Sequence, residues 1–254
     1  MLIIGAILTY LRGLTESRLQ TAQEVQDVGL PILGVVPRMP GGRTSVARAM
    51  CVHLDSRSEV AEAYRTVFTT LYLSAAGARA RTLLVTSPEA GDGKTTSASN
   101  LAIAIAQTGR RVLLCDADFR NRANRKKLRA HAATGLSSVL SGTEALDHAV
   151  HRTGLKTLYI LPCGAIPRNP PEILSSQEFG ELIDRLASEY DYIIFDSPPV
   201  NAATDSRILS AFCNATVLVL RAGKSTREGA ERARNALMSG ARIIGAILND
   251  GGVN

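Results

Sequence analysis

The residues best suited to chemistry lie in one loop, TSPEAGDGKTT, at residues 86–96. Gly91 and Gly93 let the backbone approach a phosphate closely, and Lys94 adds a positive charge. The apolar run LLVTS precedes the loop and the helical pattern SASNLAIAIAQ follows it, which is the setting that a phosphate-binding loop requires. The expected nucleotide-binding residues of this loop are Gly91, Asp92, Gly93, Lys94, Thr95 and Thr96.

One position departs from the usual GxxxxGK[ST] pattern, because Pro88 stands where the first glycine is expected. The alternative is a chance GKT in an ordinary loop. The flanking strand and helix patterns favour phosphate binding.

Carboxylates end two further apolar runs. Asp116 and Asp118 close VLLCDAD, and Asp196 closes YIIFD. Ligands of parallel α/β sheets bind at the carboxyl ends of the strands, where an aspartate is the usual magnesium-side partner of a phosphate loop. Each aspartate alone has a helix cap or a turn as its alternative. Three of them beside a GKT loop favour one site, in which we expect Thr95, Asp116 and Asp196 to bind magnesium.

The elements that must position these residues follow an alternating pattern. Helices are predicted at 58–74, 95–107, 177–189 and 226–238, and strands at LLVTS, VLLCDAD, LYILP, YIIFD, ATVLVL and RIIGAIL. Alternation of this kind predicts right-handed crossovers and a parallel sheet, and continuously apolar strands predict helices on both faces. The predicted fold class is α/β: a three-layer sandwich with a mostly parallel central sheet, of the P-loop NTPase type with a deviant Walker A loop.

The start of the chain carries weaker patterns. The apolar run MLIIGAILTYL is too short to cross a hydrocarbon core of ~30 Å, and Arg12 follows it as at the cytoplasmic end of a spanning helix. We predict residues 1–19 to be the remnant of a transmembrane helix with its juxtamembrane segment; a short amphipathic or core-docked helix is the alternative. Residues 20–57 are predicted as a linker and residues 58–254 as the P-loop domain.

The charge and composition of the chain limit the classes of partner that it is expected to bind. The formal net charge of +6 and the pI near 9.4 favour anionic partners. Aromatic residues make up 4% of the chain and Trp is absent, so the stacking surfaces typical of single-strand binders are missing and no nucleic-acid partner is expected.

In their order along the chain, these motifs resemble the bacterial tyrosine kinases that control capsule and exopolysaccharide export. The similarity spans EAYRTVFTTL, VTSPEAGDGKTT, VLLCDADFR, GLSSVLSG, LYILPCGAIPRNPPEILSS, YDYIIFDSPPV and GAILND. The resemblance implies an ATP-dependent protein-tyrosine kinase at the cytoplasmic face of the bacterial plasma membrane. It also implies two partners, a membrane polysaccharide co-polymerase domain and a tyrosine-containing protein substrate, either the chain itself or another.

Carried over residue by residue, the resemblance implies that Lys94 holds the β- and γ-phosphates of ATP and that Thr95 and Asp196 organise Mg²⁺. Asp116 and Asp118 assist phosphoryl transfer, and one of them accepts the tyrosine proton.

Two further residues follow from the same resemblance. Arg120 closes a DxDxR pattern and is expected to stabilise charge in the transition state. Asn249 matches the residue that recognises adenine in the wider superfamily, with a simple strand-end turn as the alternative. The basic run after Arg120 is assigned to partner or membrane-surface attraction, or to a solvated face; it comprises Arg122, Arg125, Lys126, Lys127 and Arg129.

The sequence departs from the family pattern in two places. Ring-forming members carry Glu-x-x-Arg-x-x-Arg on a helix; Glu62 and Arg65 match here, but Phe68 takes the third position. A homo-oligomer through this helix is expected, although this substitution weakens the motif. The family's C-terminal tyrosine cluster is also missing, since the last tyrosine is Tyr192. Either the chain is truncated at both ends or it acts on tyrosines elsewhere.

Two other function classes compete. A switch ATPase of the chromosome-partition or division-site class shares the fold, but such proteins usually carry a second lysine early in the phosphate loop, where this chain has SPEAG. A non-catalytic nucleotide-binding regulatory domain is the third candidate. The combination of Lys94, Asp116, Asp118 and Asp196 favours catalysis.

Overall fold

The computed structural model describes residues 17–74, 80–120, 134–238 and 240–252. Within these ranges, eight strands form one sheet in the order β1-β8-β7-β2-β6-β3-β5-β4, and only the β4–β5 pair of this sheet is antiparallel. The strands are β1 (Ile32–Val36), β2 (Thr82–Thr86), β3 (Val112–Asp116), β4 (His151–Arg152), β5 (Leu158–Leu161), β6 (Tyr192–Asp196), β7 (Ala215–Arg221) and β8 (Ile243–Asn249).

Helices cover both faces of this sheet. The described helices are α1 (Ala22–Asp27), α2 (Ser45–Ala49), α3 (Cys51–Leu54), α4 (Glu59–Leu73), α5 (Lys94–Ala106), α6 (Leu136–Leu140), α7 (Leu146–Ala149), α8 (Pro170–Leu174), α9 (Gln177–Glu189), α10 (Asp205–Phe212) and α11 (Arg227–Leu237). Helices α4 and α5 pack on one face, while α9, α10, α1 and α11 pack on the other. The predicted three-layer α/β sandwich is confirmed.

Side chains on the central strands alternate between the two layers. In β2, Leu83 and Val85 face the layer of α4 and α5, whereas Leu84 faces that of α9. Strands β2, β3 and β6 are buried at every position. Continuous apolar runs are therefore what these strands require, because both faces are covered.

Helix α4 shows how sequence sets a helix and its buried face. The Ser58 hydroxyl accepts a hydrogen bond from the Ala61 N–H and caps the first turn. Tyr64, Val67 and Leu71 recur at steps of three and four, and all three are fully buried. The helix ends at Leu73, close to the predicted boundary.

Residues 20–57 differ from the expected linker. They contribute the edge strand β1, which pairs in parallel with β8, and three short helices. Leu33 and Val36 of β1 are buried in the core beneath α4. Strand β1 is difficult to predict from the sequence because the strand is short and is bounded by Pro31 and Pro37. Much of its stability also comes from pairing with a strand that is distant in the sequence.

The strand order brings three carboxyl ends together. Strand β6 lies between β2 and β3, and Asp116 pairs in register with Asp196. The phosphate loop follows β2 directly, so loop and carboxylates meet at one edge of the sheet.

Within the described ranges, no helix has the length and apolar character needed to cross a membrane. The apolar start at residues 1–11 and the basic run at residues 122–129 lie outside the described residues.

Candidate active site

The phosphate loop owes its shape to two glycines in left-handed backbone conformations. Gly91 has φ +84° and Gly93 has φ +101°, values that L side chains rarely adopt. Gly93 immediately precedes α5, so the helix begins at Lys94 with its free N–H groups directed toward the loop. The loop and helix together form a site for an anion.

Lys94 reaches the carboxylates at the end of β3. Its Nζ lies 3.6 Å from Oδ2 of Asp118, and the two residues are 5% and 2% exposed. The Asp118 N–H donates to Oδ1 of Asp116 at 3.0 Å, and the Arg120 N–H donates to Oδ1 of Asp118 at 3.2 Å. Backbone donors thus fix both carboxylates and leave Oδ2 of Asp118 facing the lysine.

Asp116 sits in an environment that disfavours its charge. Burial raises the pKa of Asp116 well above its ordinary range, and the neighbouring Asp196 carboxylate raises it further, while the hydrogen bond from the Asp118 N–H acts in the opposite direction. A nearby cation would relieve this cost, because it favours the ionised carboxylate.

The donor set suits magnesium in type. Thr95 is 4% exposed and begins the same helix turn as Lys94, and Asp116 and Asp196 supply carboxylate oxygens. Among the described residues, no three His, Cys, Asp or Glu side chains are clustered as a protein-only metal site would require. Magnesium usually takes one or two carboxylates and completes its shell with phosphate oxygens and waters, so the three residues fit it as a nucleotide-bound ion.

Asn249, at the end of β8, is tied to the phosphate loop. Its Nδ2 donates to the Asp92 carbonyl and to Oγ of Ser97, each at 3.0 Å. The hydroxyl of Tyr64 lies 3.3 Å from the same Oγ. A Cβ at Gly93 would collide with Nδ2 of Asn249, which is a second reason for glycine there. The contact of Asn249 with adenine stays a prediction.

A cleft of about 430 Å³ opens beside the loop. It is lined by residues 36–41 and by residues of the loop and of the end of β8, among them Gly91, Asp92, Gly93 and Asn249. Its volume is in the usual range for a small-molecule site.

Arg120 makes a contact that the sequence did not reveal. Its Nε and Nη2 each donate to the carboxylate of Asp205 at 2.9 Å. Asp205 is fully buried at the first turn of α10, whereas the Arg120 side chain is 49% exposed. This paired fork fixes the segment that follows β3.

Comparison with known proteins places this geometry in a family. The AAA domain pattern matches residues 80–238. Tyrosine-protein kinase YwqD of Bacillus subtilis (strain 168) is 37% identical over 77% of this chain and 83% of its own length. The chain belongs to the bacterial tyrosine-protein kinase family.

Solved structures agree with that membership. The kinase domain of Escherichia coli tyrosine kinase ETK has a TM-score of 0.82 at 26% identity, covering 92% of this chain and 95% of that one. The septum site-determining protein MinD of Pyrococcus horikoshii OT3, complexed with Mg-ADP, has a TM-score of 0.57 at 28% identity, covering 66% and 70%. This kinase-family chain therefore shares the P-loop NTPase fold with MinD but matches ETK over more of its length.

The fold of this family member gathers most of the predicted site residues. The phosphate loop, Asp116, Asp118, Asp196 and Asn249 lie at one edge of the sheet. The sequence reasoning missed Asp205, Arg221 and Lys224. Asp205 stands nine residues after Asp196 with no motif that marks it, and Lys224 contacts the loop from 134 residues away.

Proposed function

We propose that the chain is an ATP-dependent protein-tyrosine kinase that transfers the γ-phosphoryl group of ATP to a tyrosine hydroxyl. The observation that carries this proposal is the buried Lys94–Asp118 pair beside the phosphate loop, with Asp116 and Asp196 next to it. Family membership supports the choice of tyrosine as acceptor.

Each residue has a proposed task. Lys94 and the N–H groups of the loop bind the β- and γ-phosphates, and Thr95, Asp116 and Asp196 hold Mg²⁺. The ion, when bound, neutralises charge on the phosphate oxygens. The tyrosine oxygen forms a bond to phosphorus while the bond from phosphorus to the ADP oxygen breaks, and Asp118 is placed to accept the phenolic proton.

We propose that the cleft beside the loop binds the adenine base and the ribose of ATP. It adjoins the phosphate loop and is walled in part by apolar side chains, among them Val36, Pro37 and Met39. Asn249 also lines the cleft, and its carboxamide donates to the Asp92 carbonyl of the loop.

The acceptor tyrosine belongs to another molecule or to a segment outside the described residues. Tyr64 and Tyr192 are almost fully buried, and only Tyr72 among the described tyrosines is more than a third exposed. Tyr72 lies eight residues beyond Tyr64 on α4, about 12 Å farther from the loop along the helix axis. Transfer within the described part would require local unfolding.

The cellular setting is also proposed. We place the domain at the cytoplasmic face of the bacterial plasma membrane, working with a membrane polysaccharide co-polymerase domain in exopolysaccharide or capsule production. The apolar start of the chain is proposed to belong to its membrane anchor, and the charge of +6 suits an anionic surface. Leu19, at the end of the predicted segment 1–19, is instead buried in the core of the domain.

A homo-oligomer through α4 is part of the same proposal. In the single chain, Arg65 pairs with Glu62 at 2.9 Å and donates to the Ser56 carbonyl. Phe68 turns inward and packs edge-on against Tyr192 at 5.9 Å. An assembly through this helix would thus use Glu62 and Arg65.

To test this proposal, the protein is incubated with radiolabelled ATP, Mg²⁺ and a tyrosine-rich peptide, and the phosphotyrosine formed is measured. The wild type should form phosphotyrosine, and Asp116→Asn and Asp118→Asn should not, whereas the exposed control Asp184→Asn should retain activity. Steady phosphate release without phosphotyrosine would refute the kinase and favour a switch ATPase. ATP binding without either product would favour a regulatory domain.

A further inference from the structure

Two cationic side chains contact the phosphate loop, one from the last residue of β7 and one from the turn that follows it. Lys224 Nζ donates to the Ala90 carbonyl and lies 3.3 Å from Oδ1 of Asp92. Arg221 Nη1 donates to the Gly91 carbonyl at 3.3 Å. Consecutive carbonyls of the loop are therefore each bound to a cation.

This turn is itself firmly held. Arg221 Nε donates to Oδ2 of Asp250 at 2.7 Å, and its backbone N–H donates to Oγ of Ser225. The N–H of Gly223 donates to the Leu19 carbonyl, which joins the turn to the start of the described chain. The two cations thus project from a fixed base.

Carbonyl orientation decides where the loop N–H groups point. A trans peptide is planar, with its N–H opposite its C=O. With the Ala90 and Gly91 carbonyls directed at Lys224 and Arg221, the N–H groups of Gly91 and Asp92 face away from these cations. Neither N–H donates to any group in the described part of the chain, so both are available to an anion.

Gly91 also makes room for this arrangement. A Cβ at Gly91 would lie 2.6 Å from Nζ of Lys224, in addition to being strained at φ +84°. The carboxylate of Asp92 is fully buried, and Lys224 is its ion-pair partner within the described ranges. Its Oδ2 accepts from the Glu89 N–H at 2.9 Å, so Asp92 links Lys224 to the first part of the loop.

We propose that Arg221 and Lys224 are positioning residues that orient the Ala90–Gly91 and Gly91–Asp92 peptide units toward the nucleotide phosphates. They act through the loop carbonyls and do not touch the reacting atoms. Lys224 gives this loop a second lysine from a distant part of the chain. The inference rests on the proposed nucleotide-binding function of the loop.

The experiment measures binding of Mg·ADP and of adenosine by calorimetry to the full chain. Arg221→Gln and Lys224→Met should each weaken Mg·ADP binding by about tenfold to a hundredfold, the usual effect of losing a hydrogen bond to a charged group. Adenosine affinity of Lys224→Met should stay within twofold, because adenosine has no phosphate and Lys224 does not line the cleft proposed for the base and ribose. Lys224→Arg should recover most of the loss, since a guanidinium also donates to a carbonyl.

Two controls separate positioning from other effects. Arg232→Gln removes the same charge from α11, where Arg232 pairs with Glu228 and is 60% exposed, and it should leave binding unchanged. Lys224→Met alone leaves the buried carboxylate of Asp92 without its ion-pair partner. The double variant Lys224→Met/Asp92→Asn also removes the negative charge of this carboxylate. Mg·ADP binding should stay weak in this double variant if the contact with the Ala90 carbonyl matters.

Three results would overturn the inference: unchanged Mg·ADP affinity in both single variants, full recovery in the Asp92→Asn double variant, or an equal loss in Arg232→Gln. Thermal unfolding of each variant shows that the compared samples are folded. A wild type that binds neither Mg·ADP nor Mg·ATP would instead refute the proposed function, and the inference with it.

Discussion

The Lys94–Asp118 pair should couple the stability of the nucleotide-free chain to its active site. Both groups are almost fully buried and 3.6 Å apart. Coulomb's law with an effective dielectric constant of about 20 gives an attraction of about 5 kcal/mol at that separation. Lys94→Met would leave Asp116, Asp118 and Asp196 without this neighbouring cation. Proton uptake by one carboxyl limits the cost, so we expect the free energy of unfolding to fall by about 3 kcal/mol.

Urea unfolding of the nucleotide-free chain tests this coupling in a double-mutant cycle. The cost of Lys94→Met should fall to less than half when Asp118 is already Asn, because the charge left unpaired is then smaller. The exposed control Lys156→Met should change stability by less than about 0.5 kcal/mol. If the cost of Lys94→Met is equal in both backgrounds within about 0.5 kcal/mol, the pair is not coupled and the reasoning fails. In calorimetry, Lys94→Met should also lose tight Mg·ATP binding.

Three further outcomes follow from other contacts. Asp116→Asn should stabilise the nucleotide-free chain at neutral pH: burial raises the pKa of Asp116, so the folded state binds more protons than the unfolded one and the wild type loses stability as pH rises. Thermal scans should show this advantage vanish below about pH 4; a difference independent of pH would contradict it. Phe68→Ala should cost about 3 kcal/mol in urea unfolding, because its ring packs against Tyr192, while Phe68→Leu should keep most of the stability; a loss below about 1 kcal/mol would count against this packing. Arg120→Lys should lower the rate of phosphotyrosine formation with little change in the Kd for ATP, since lysine cannot make both bonds to Asp205; an unchanged rate would refute a positioning role for this fork.

Local pattern was sufficient for the central sheet and its principal helices. Strands β2, β3, β6 and β7 each contain a run of consecutive apolar residues because helices cover both faces of the sheet, and such runs are visible without a structure. Helix α9 matched its predicted bounds, Gln177–Glu189, because its apolar side chains recur with a helical period.

Edge elements escaped the same reasoning. Strand β1 is short, and its backbone hydrogen bonds run to β8, more than 200 residues away. Strand β4 has two residues and pairs only with β5 among the described strands. The β-strand propensity of the residues predicts such strands poorly, because the stability of these strands comes from pairing with the partner strand.

The phosphate loop and the aspartates at the strand ends could be predicted from the sequence, since strand, GKT loop and helix are contiguous and the carboxyl ends of parallel strands share one edge. Which carboxylate faces Lys94 depends on backbone donors that only the folded chain assembles. The contacts from Asp205, Arg221 and Lys224 also join residues 85 or more positions apart. No local spacing records such contacts, because they depend on how the strand-end loops pack together. The sequence by itself thus determined the phosphate chemistry of this protein, and the tertiary structure decided which side chains hold the site in shape.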